Sequence, residues 1–171
     1  MNAFARTSMH QEVQGMCQGT INGTETFNAS LVELSEVDFP NHPPPHKKAH
    51  VMLATQMAPG PDYTTKEVRV SFSMDMDDDE YGLGEDSYPV GVLFVDRSDP
   101  AVAVVYKQVK GIARLAYDAS SATLSGTICA DVENNDENTP STLTLKMDFI
   151  ASARSRTRRN PRRPSARVGT C

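Results

Sequence analysis

The sequence predicts an all-β protein, a single antiparallel β-sandwich or barrel-like domain, and three observations support this class. Between residues 68 and 149, apolar and polar residues alternate in several stretches with a period of two, the spacing of half-buried strands. Clusters of Gly, Pro, Asn, Asp and Ser separate these stretches. At 171 residues the chain fits one domain. About seven or eight short strands joined by turns are typical of a sandwich or a barrel.

The chain up to residue 96 supplies four of the expected strands. Residues 20–33 form a strand pattern that is broken near Asn22 and Gly23, and residues 50–56 form the next. From residue 68 to 77 the apolar side chains alternate with polar ones so regularly that we expect the strand to continue past Met76. The stretch PVGVLFVD, residues 89–96, is apolar on both faces and is predicted to be a central strand.

Residues 100–110 carry conflicting signals. Asp99 at a helix N-cap position, Pro100 at the first helical position and Gly111 at a C-cap position favour a helix. Three valines within residues 102–105 favour a strand, because β-branched side chains lose freedom in a helix and pack well in a sheet. We expect a strand and keep the helix as the alternative.

The last part of the domain is predicted to be a three-stranded meander. Its strands cover residues 113–117, 124–132 and 142–149, each with apolar residues at every second position. The segments DASSAT and ENNDENTPS between them are rich in turn-forming residues.

Charge divides the chain into unequal parts. The net charge is −5 overall, but residues 1–153 carry −12 while residues 154–171 carry +7 and no acidic residue. We therefore expect a flexible N-terminus (1–14), an all-β domain (15–152) and an arginine-rich disordered tail (153–171). The tail is a candidate for nucleic acid or other polyanion contact, for contact with the acidic body of the same or another copy, or for no role. Its candidate contact residues are Arg154, Arg156, Arg158, Arg159, Arg162, Arg163 and Arg167.

The acidic stretch SFSMDMDDDEYGLGED suggests a weak calcium site. Oxygen ligands select calcium or magnesium, and the spacing from Asp75 partly follows an EF-hand loop. Glu80 stands where that loop requires glycine, and no amphipathic helix flanks it. The competing interpretation is a solvated strand face. The candidate metal ligands are Asp75, Asp77, Asp79, Glu80 and Asp86.

Histidines and cysteines supply two further hypotheses. His42, His46 and His50 stand four residues apart around three prolines, which exclude a helix there and predict an extended, polyproline-like connector. A zinc site would need other ligands brought in by folding. Cys17 and Cys129 form a disulfide only if their strands are neighbours, and the alternation around Cys129 predicts that it faces outward.

No pattern of a catalytic site stands out. The sequence contains no nucleophile elbow, phosphate-binding glycine loop or zinc-protease helix. We therefore expect a non-catalytic binding module that uses a sheet face or edge, without a cofactor other than calcium. A protein partner or a second copy is the expected ligand, and an assembly protein is the alternative. No apolar stretch is long enough for a membrane helix. The absence of a signal peptide predicts a cytoplasmic protein, or an extracellular or envelope one if a leader has been removed.

Overall fold

The computed structural model describes residues 15–60, 63–135 and 141–153, and in them it contains ten β-strands and no helix. The N-terminal segment and the arginine tail lie outside the described residues. The strands are β1 (Gly15–Ile21), β2 (Glu25–Asn28), β3 (Leu31–Asp38), β4 (Lys48–Met57), β5 (Thr65–Ser73), β6 (Asp79–Gly84), β7 (Val90–Asp99), β8 (Val102–Asp118), β9 (Thr123–Asn134) and β10 (Ser141–Ser152).

All ten strands belong to one antiparallel sheet that curls into a half-barrel. Nine of them follow the order β2-β1-β10-β9-β8-β7-β5-β4-β3, and β6 lies off this path. The long strand β8 pairs along one edge first with β7 and then, beyond residue 109, with β6. The predicted all-β antiparallel class is confirmed.

The link between β2 and β3 connects the two ends of the sheet. The N–H of Ala29 donates to the carbonyl of Cys17 in β1 at 2.9 Å, and the N–H of Ser30 donates to the carbonyl of Thr55 in β4 at 2.8 Å. Strands β1 and β4 lie near opposite ends of the strand order. These two hydrogen bonds therefore join the two ends of the sheet and stabilise its curled shape.

The concave side of the sheet contains the core. Buried apolar side chains from every strand meet there, and burial of each large one contributes about 1.5–3 kcal/mol. The inward positions agree with the period-two prediction in β5, β9 and β10. The largest fully buried side chains include Phe27, Phe72, Phe94, Met52, Leu124 and Leu145.

Two predictions about strands are confirmed by the topology. Strands β8, β9 and β10 are sequential neighbours and form the meander, and β7 lies between β5 and β8 as a central strand. Residues 102–110 are strand, so the helical alternative is wrong. The mixed periodicity has a physical cause, because the pairing with β9 skips Val109 and forms a β-bulge. Inward side chains fall on even numbers before Val109 and on odd numbers after it.

Two other expectations about local structure are wrong. Strand β5 ends at Ser73, and Asp75 turns the chain with a φ of 64°, so the strand does not continue past Met76. The connector 39–47 is not extended. The N–H of His42 donates to the carbonyl of Phe39, the N–H of His46 donates to that of Pro43, and the two turns bring the ends of the connector together.

Cys17 and Cys129 do not form a disulfide. Cys17 is completely buried in the core, whereas Cys129 is exposed on the opposite face of the sheet, as the alternation predicts. Burial, with a smaller effect of the Asp148 charge, raises the pKa of the Cys17 thiol to about 12. In the part of the chain that the structure describes, there is no helix able to span a membrane.

Candidate functional site: a groove on the outer face

The connector 39–47 folds back over the outer face of the sheet, the face opposite the core. The Nδ1 atom of His46 lies 2.9 Å from the hydroxyl of Ser73. Ser73 is almost fully buried although it faces outward, and the neighbouring outward residues Ala49 and Val51 are buried too. The outer face is therefore partly covered beside this connector.

Aromatic rings gather where the connector meets the segment between β6 and β7. The rings of Phe39 and His42 stack with centroids 4.7 Å apart, and the ring of Tyr88 meets His42 edge-on at 5.1 Å. The His46 ring is parallel to that of Tyr88 at 6.3 Å. The guanidinium of Arg69 lies 6.0 Å from the centroid of the Phe39 ring, within the range of a cation–π contact.

A cavity of about 260 Å³ opens beside this cluster, and we call it the outer groove. Its wall combines rings, aliphatic side chains, hydroxyls and charges, which is the mixture typical of a binding site. It is lined by Phe39, His42, Arg69, Ser71, Glu85, Ser87, Gly91, Val92, Leu93, Lys107 and Gln108.

Strand register places two cations on either side of one aliphatic residue in this groove. Arg69 of β5 pairs with Leu93 of β7, which in turn pairs with Lys107 of β8. Side chains of directly opposed residues are about 5 Å apart at Cβ, so the Arg69 and Lys107 side chains begin on either side of Leu93, and all three line the cavity. Among the described residues, neither cation forms an ion pair, and neither does the third charged lining residue, Glu85.

One residue that lines the floor of the groove, Gly91, has no side chain. Gly91 is an outward position of β7 opposite Ser71 of β5. A Cβ atom at this glycine would lie 2.5 Å from the Ser71 hydroxyl oxygen. A side chain at this position would therefore displace the Ser71 hydroxyl and project into the cavity that both residues line.

Gln108 holds the groove wall together at the point where the sheet branches. Its Oε1 accepts a hydrogen bond from the N–H of Val92 at 2.7 Å. Its Nε2 donates to the carbonyls of Gly84 at 2.7 Å and Val90 at 3.2 Å. The side-chain amide thus satisfies backbone groups where β8 changes partner from β7 to β6. It also fixes the segment 84–90, which carries Glu85, Ser87 and Tyr88.

A second cavity, of about 400 Å³, lies on the outer face of the meander, and we call it the meander cavity. In it Arg114 and Glu80 form an ion pair at 2.6 Å, and Lys146 and Asp148 also line it. The meander cavity therefore has two positive and two negative groups. Its lining residues are Glu80, Ile112, Arg114, Thr127, Ile128, Cys129, Lys146, Met147 and Asp148.

The five predicted calcium ligands are distributed over two turns and a strand. Asp75 and Asp77 belong to the turn after β5, Asp79 and Glu80 to β6, and Asp86 to the turn before β7. Two of them already have partners: the Asp79 carboxylate accepts from the N–H of Glu80, and Glu80 pairs with Arg114. Among the described residues no three His, Cys, Asp or Glu side chains group as metal ligands do. Calcium binding stays a prediction from the sequence, and this arrangement adds no support to it.

The three histidines do not come together either. His42 and His46 belong to the outer cluster, whereas His50 faces the concave side, where its ring stacks on that of Tyr117 at 3.6 Å. Burial lowers the pKa of His50, and the nearby charges of Glu36 and Asp75 oppose this shift only in part. The seven candidate arginines of the tail lie outside the described residues.

Most lining residues of the outer groove were not singled out from the sequence. His42 belongs to the zinc hypothesis, and Ser71 and Glu85 lie in the acidic stretch without being among the predicted ligands. A partial signal was present, since Arg69 is an outward polar residue of an alternating stretch and Lys107 is a polar residue of a predicted strand, but their pairing through Leu93 depends on strand order.

Comparison with known proteins adds no assignment. No family model, no curated protein and no solved structure matches this chain.

Proposed function

We propose that this protein is a non-catalytic binding module that engages a protein partner through the outer groove of its sheet. The observation that carries the proposal is the composition of that groove. It contains an aromatic wall, an aliphatic floor and two cations for one carboxylate, and none of these charges has an ion-pair partner among the described residues.

The dimensions of the groove favour a protein ligand over a small molecule. Its volume of about 260 Å³ lies below the range of roughly 300–1,000 Å³ that is usual for drug-sized ligands. A pocket of this size suits one or two side chains of a partner. The residues that dominate the affinity of protein interfaces commonly fill small pockets of this kind.

Selection from a randomised peptide library displayed on phage tests this function. We expect the full chain to enrich a consensus, and peptides of that consensus to lose binding to a Gly91→Val variant in which the groove is filled. Lys146→Ala, an exposed change in the meander cavity, serves as the matched control and should keep binding. Enrichment of no consensus, or equal binding by the filled variant, would contradict the proposal.

A second candidate function is assembly, in which the basic tail of one copy contacts the acidic body of the next. Strand pairing favours contact between the tail and the acidic turn, either within one copy or between copies, since Ser152 pairs with Thr123, which pairs with Asp118. The adjoining N–H of Tyr117 donates to the Asp78 carboxylate at 2.9 Å, so the strand that leads into the tail ends about three strand spacings from the acidic turn.

Sedimentation velocity at low and high salt tests assembly. We expect association of the full chain at low salt that is lost at high salt and in a chain truncated after Ala153, because exposed charges are screened. A full chain that stays monomeric at low salt rules assembly out. Adding a short DNA duplex to the same samples tests the remaining prediction, polyanion contact through the tail. The measurement is whether the DNA sediments together with the full chain and not with the truncated chain.

A further inference from the structure

We infer that the outer groove recognises an acidic side chain of its partner together with an adjacent apolar residue. This inference rests on the proposed function and adds the chemistry of the ligand. The acidic group lies between Arg69 and Lys107, and the apolar neighbour packs on Leu93 and the exposed part of Phe39.

The charge distribution of the groove supports an anionic group. Arg69 and Lys107 flank the same floor residue, and their charges are not neutralised by any carboxylate in an ion pair among the described residues. Arg69 is only partly exposed and is oriented by its contact with Phe39. A planar guanidinium held in this way presents a fork of N–H donors that matches a carboxylate.

The same groove disfavours a strongly charged ligand. Glu85 lines it, and the adjoining Asp86 adds a second carboxylate at the same turn. These carboxylates offset part of the attraction to the two cations, and a phosphate, with about two negative charges, loses more hydration than a singly charged carboxylate when it enters a partly buried site. Glu85 instead offers an acceptor for a backbone N–H of the partner segment that carries the acidic residue.

The aliphatic and aromatic surface next to the cations explains the requirement for an apolar neighbour. Leu93 is half-buried although it faces outward, and Phe39 presents its ring to the same cavity. Covering this surface removes apolar area from water, which strengthens binding, and it lowers the effective dielectric constant around the ion pair.

Blocked peptides without terminal charges test the inference directly. The probes are Ac-Gly-Gly-Phe-Glu-Gly-Gly-NH2, the same peptide with Gln in place of Glu, and a peptide that ends in a free phenylalanine carboxylate. Binding is measured by shifts of backbone amide signals in NMR spectra of the full-length protein. We expect the Glu peptide to perturb residues of β5, β7 and β8, and the Gln peptide to bind at least about tenfold more weakly.

Charge variants with matched controls complete the test. Arg69→Gln and Lys107→Ala should each weaken the Glu peptide at least about fivefold, whereas Arg114→Gln and Lys146→Ala in the meander cavity should leave its affinity unchanged. Equal binding of the Glu and Gln peptides, or tighter binding of the free-carboxylate peptide, would overturn the inference.

Failure of this inference is distinguishable from failure of the proposed function. If the phage selection yields a consensus without acidic residues, and Gly91→Val abolishes its binding, the groove is a binding site whose chemistry we have assigned wrongly. If the filled variant has no effect on any peptide, both proposals fall together.

Discussion

The outer groove and the meander cavity occupy two regions of the same outer face, and their charges are arranged differently. In the meander cavity Arg114 is held by Glu80 at 2.6 Å, and the neighbouring Lys110 lies 3.5 Å from Asp131. In the outer groove Arg69 contacts an aromatic ring instead of a carboxylate. The meander cavity thus has equal numbers of positive and negative groups, whereas the outer groove has more positive than negative groups.

The difference shows which surface charges are informative. Exposed ion pairs contribute little to stability, so an arginine beside a glutamate on the exposed face of a sheet needs no further explanation. A partly buried arginine without a counter-ion has lost some hydration and gained no ion pair in return. Arg69 is therefore a better indication of a binding site than the denser acidic stretch that stands out in the sequence.

The largest expected difference is in the reactivity of the two cysteine thiols. It tests whether the outer face of the meander is accessible to solvent. In a Cys171→Ser background, Cys129 should react rapidly with a thiol reagent while Cys17 should not. A pKa of about 12 leaves roughly a thousandfold less thiolate on Cys17 than on a free cysteine, and burial blocks access as well. The measurement is the stoichiometry and rate of labelling of the folded protein.

Labelling in denaturant provides the control, since both thiols should then react at similar rates. Slow labelling of Cys129 in the folded protein would mean that the outer face of the meander is covered.

The next largest effect is expected at the branch point that supports the outer groove. Gln108→Ala removes the partners of three backbone groups in a buried site, and each unsatisfied group costs about 1–3 kcal/mol. We expect the free energy of unfolding to fall by at least about 3 kcal/mol in urea titrations. Thr127→Ala, at an exposed position of β9, should change it by less than about 0.5 kcal/mol. A loss below about 1 kcal/mol at Gln108 would contradict its supporting role.

A moderate effect of pH is expected from His50, which lies on the face opposite the groove. Its pKa is lowered on folding, so the unfolded chain binds a proton that the folded chain does not. Stability should therefore be complete above about pH 6.5 and decline as the pH falls below it, by at most about 1.4 kcal/mol per pH unit. Melting temperatures of the native protein and of His50→Phe between pH 7.5 and 5.5 check this. Parallel declines in the two proteins would assign the effect to other groups.

The smallest effect is expected for the ion pair of the meander cavity. Arg114→Gln should lower the free energy of unfolding by less than about 1 kcal/mol, because both partners are largely exposed. High salt should reduce even this difference. A loss above about 2 kcal/mol would contradict this expectation, because the ion pair would then stabilise the fold more than an exposed pair does.

The fold was largely predictable because its signal is local. Alternation along β5, β9 and β10 is visible in the residues themselves, and the meander needs only short turns between neighbouring strands. The prediction was ambiguous at 100–110 for an equally local reason, because the bulge at Val109 shifts the alternation by one residue and imitates helical spacing.

The candidate site was not predictable because its geometry is not local. Arg69, Leu93 and Lys107 share a row only because β7 lies between β5 and β8 while β6 leaves that path. The supporting role of Gln108 likewise depends on where β8 changes partner. The acidic stretch was conspicuous in the sequence, but a turn at Asp75 separates residues that a continuous strand would have aligned.

Gly15 of β1 and Ala151 of β10 are partners in register, so the first and last strands of the domain lie side by side. A short linker between these two residues would therefore permit circular permutation, with new ends opened in the exposed turn at Asn22 and Gly23. Such a rearranged chain would preserve the whole half-barrel and the groove, and would move any fused reporter or immobilisation tag to the opposite end of β1.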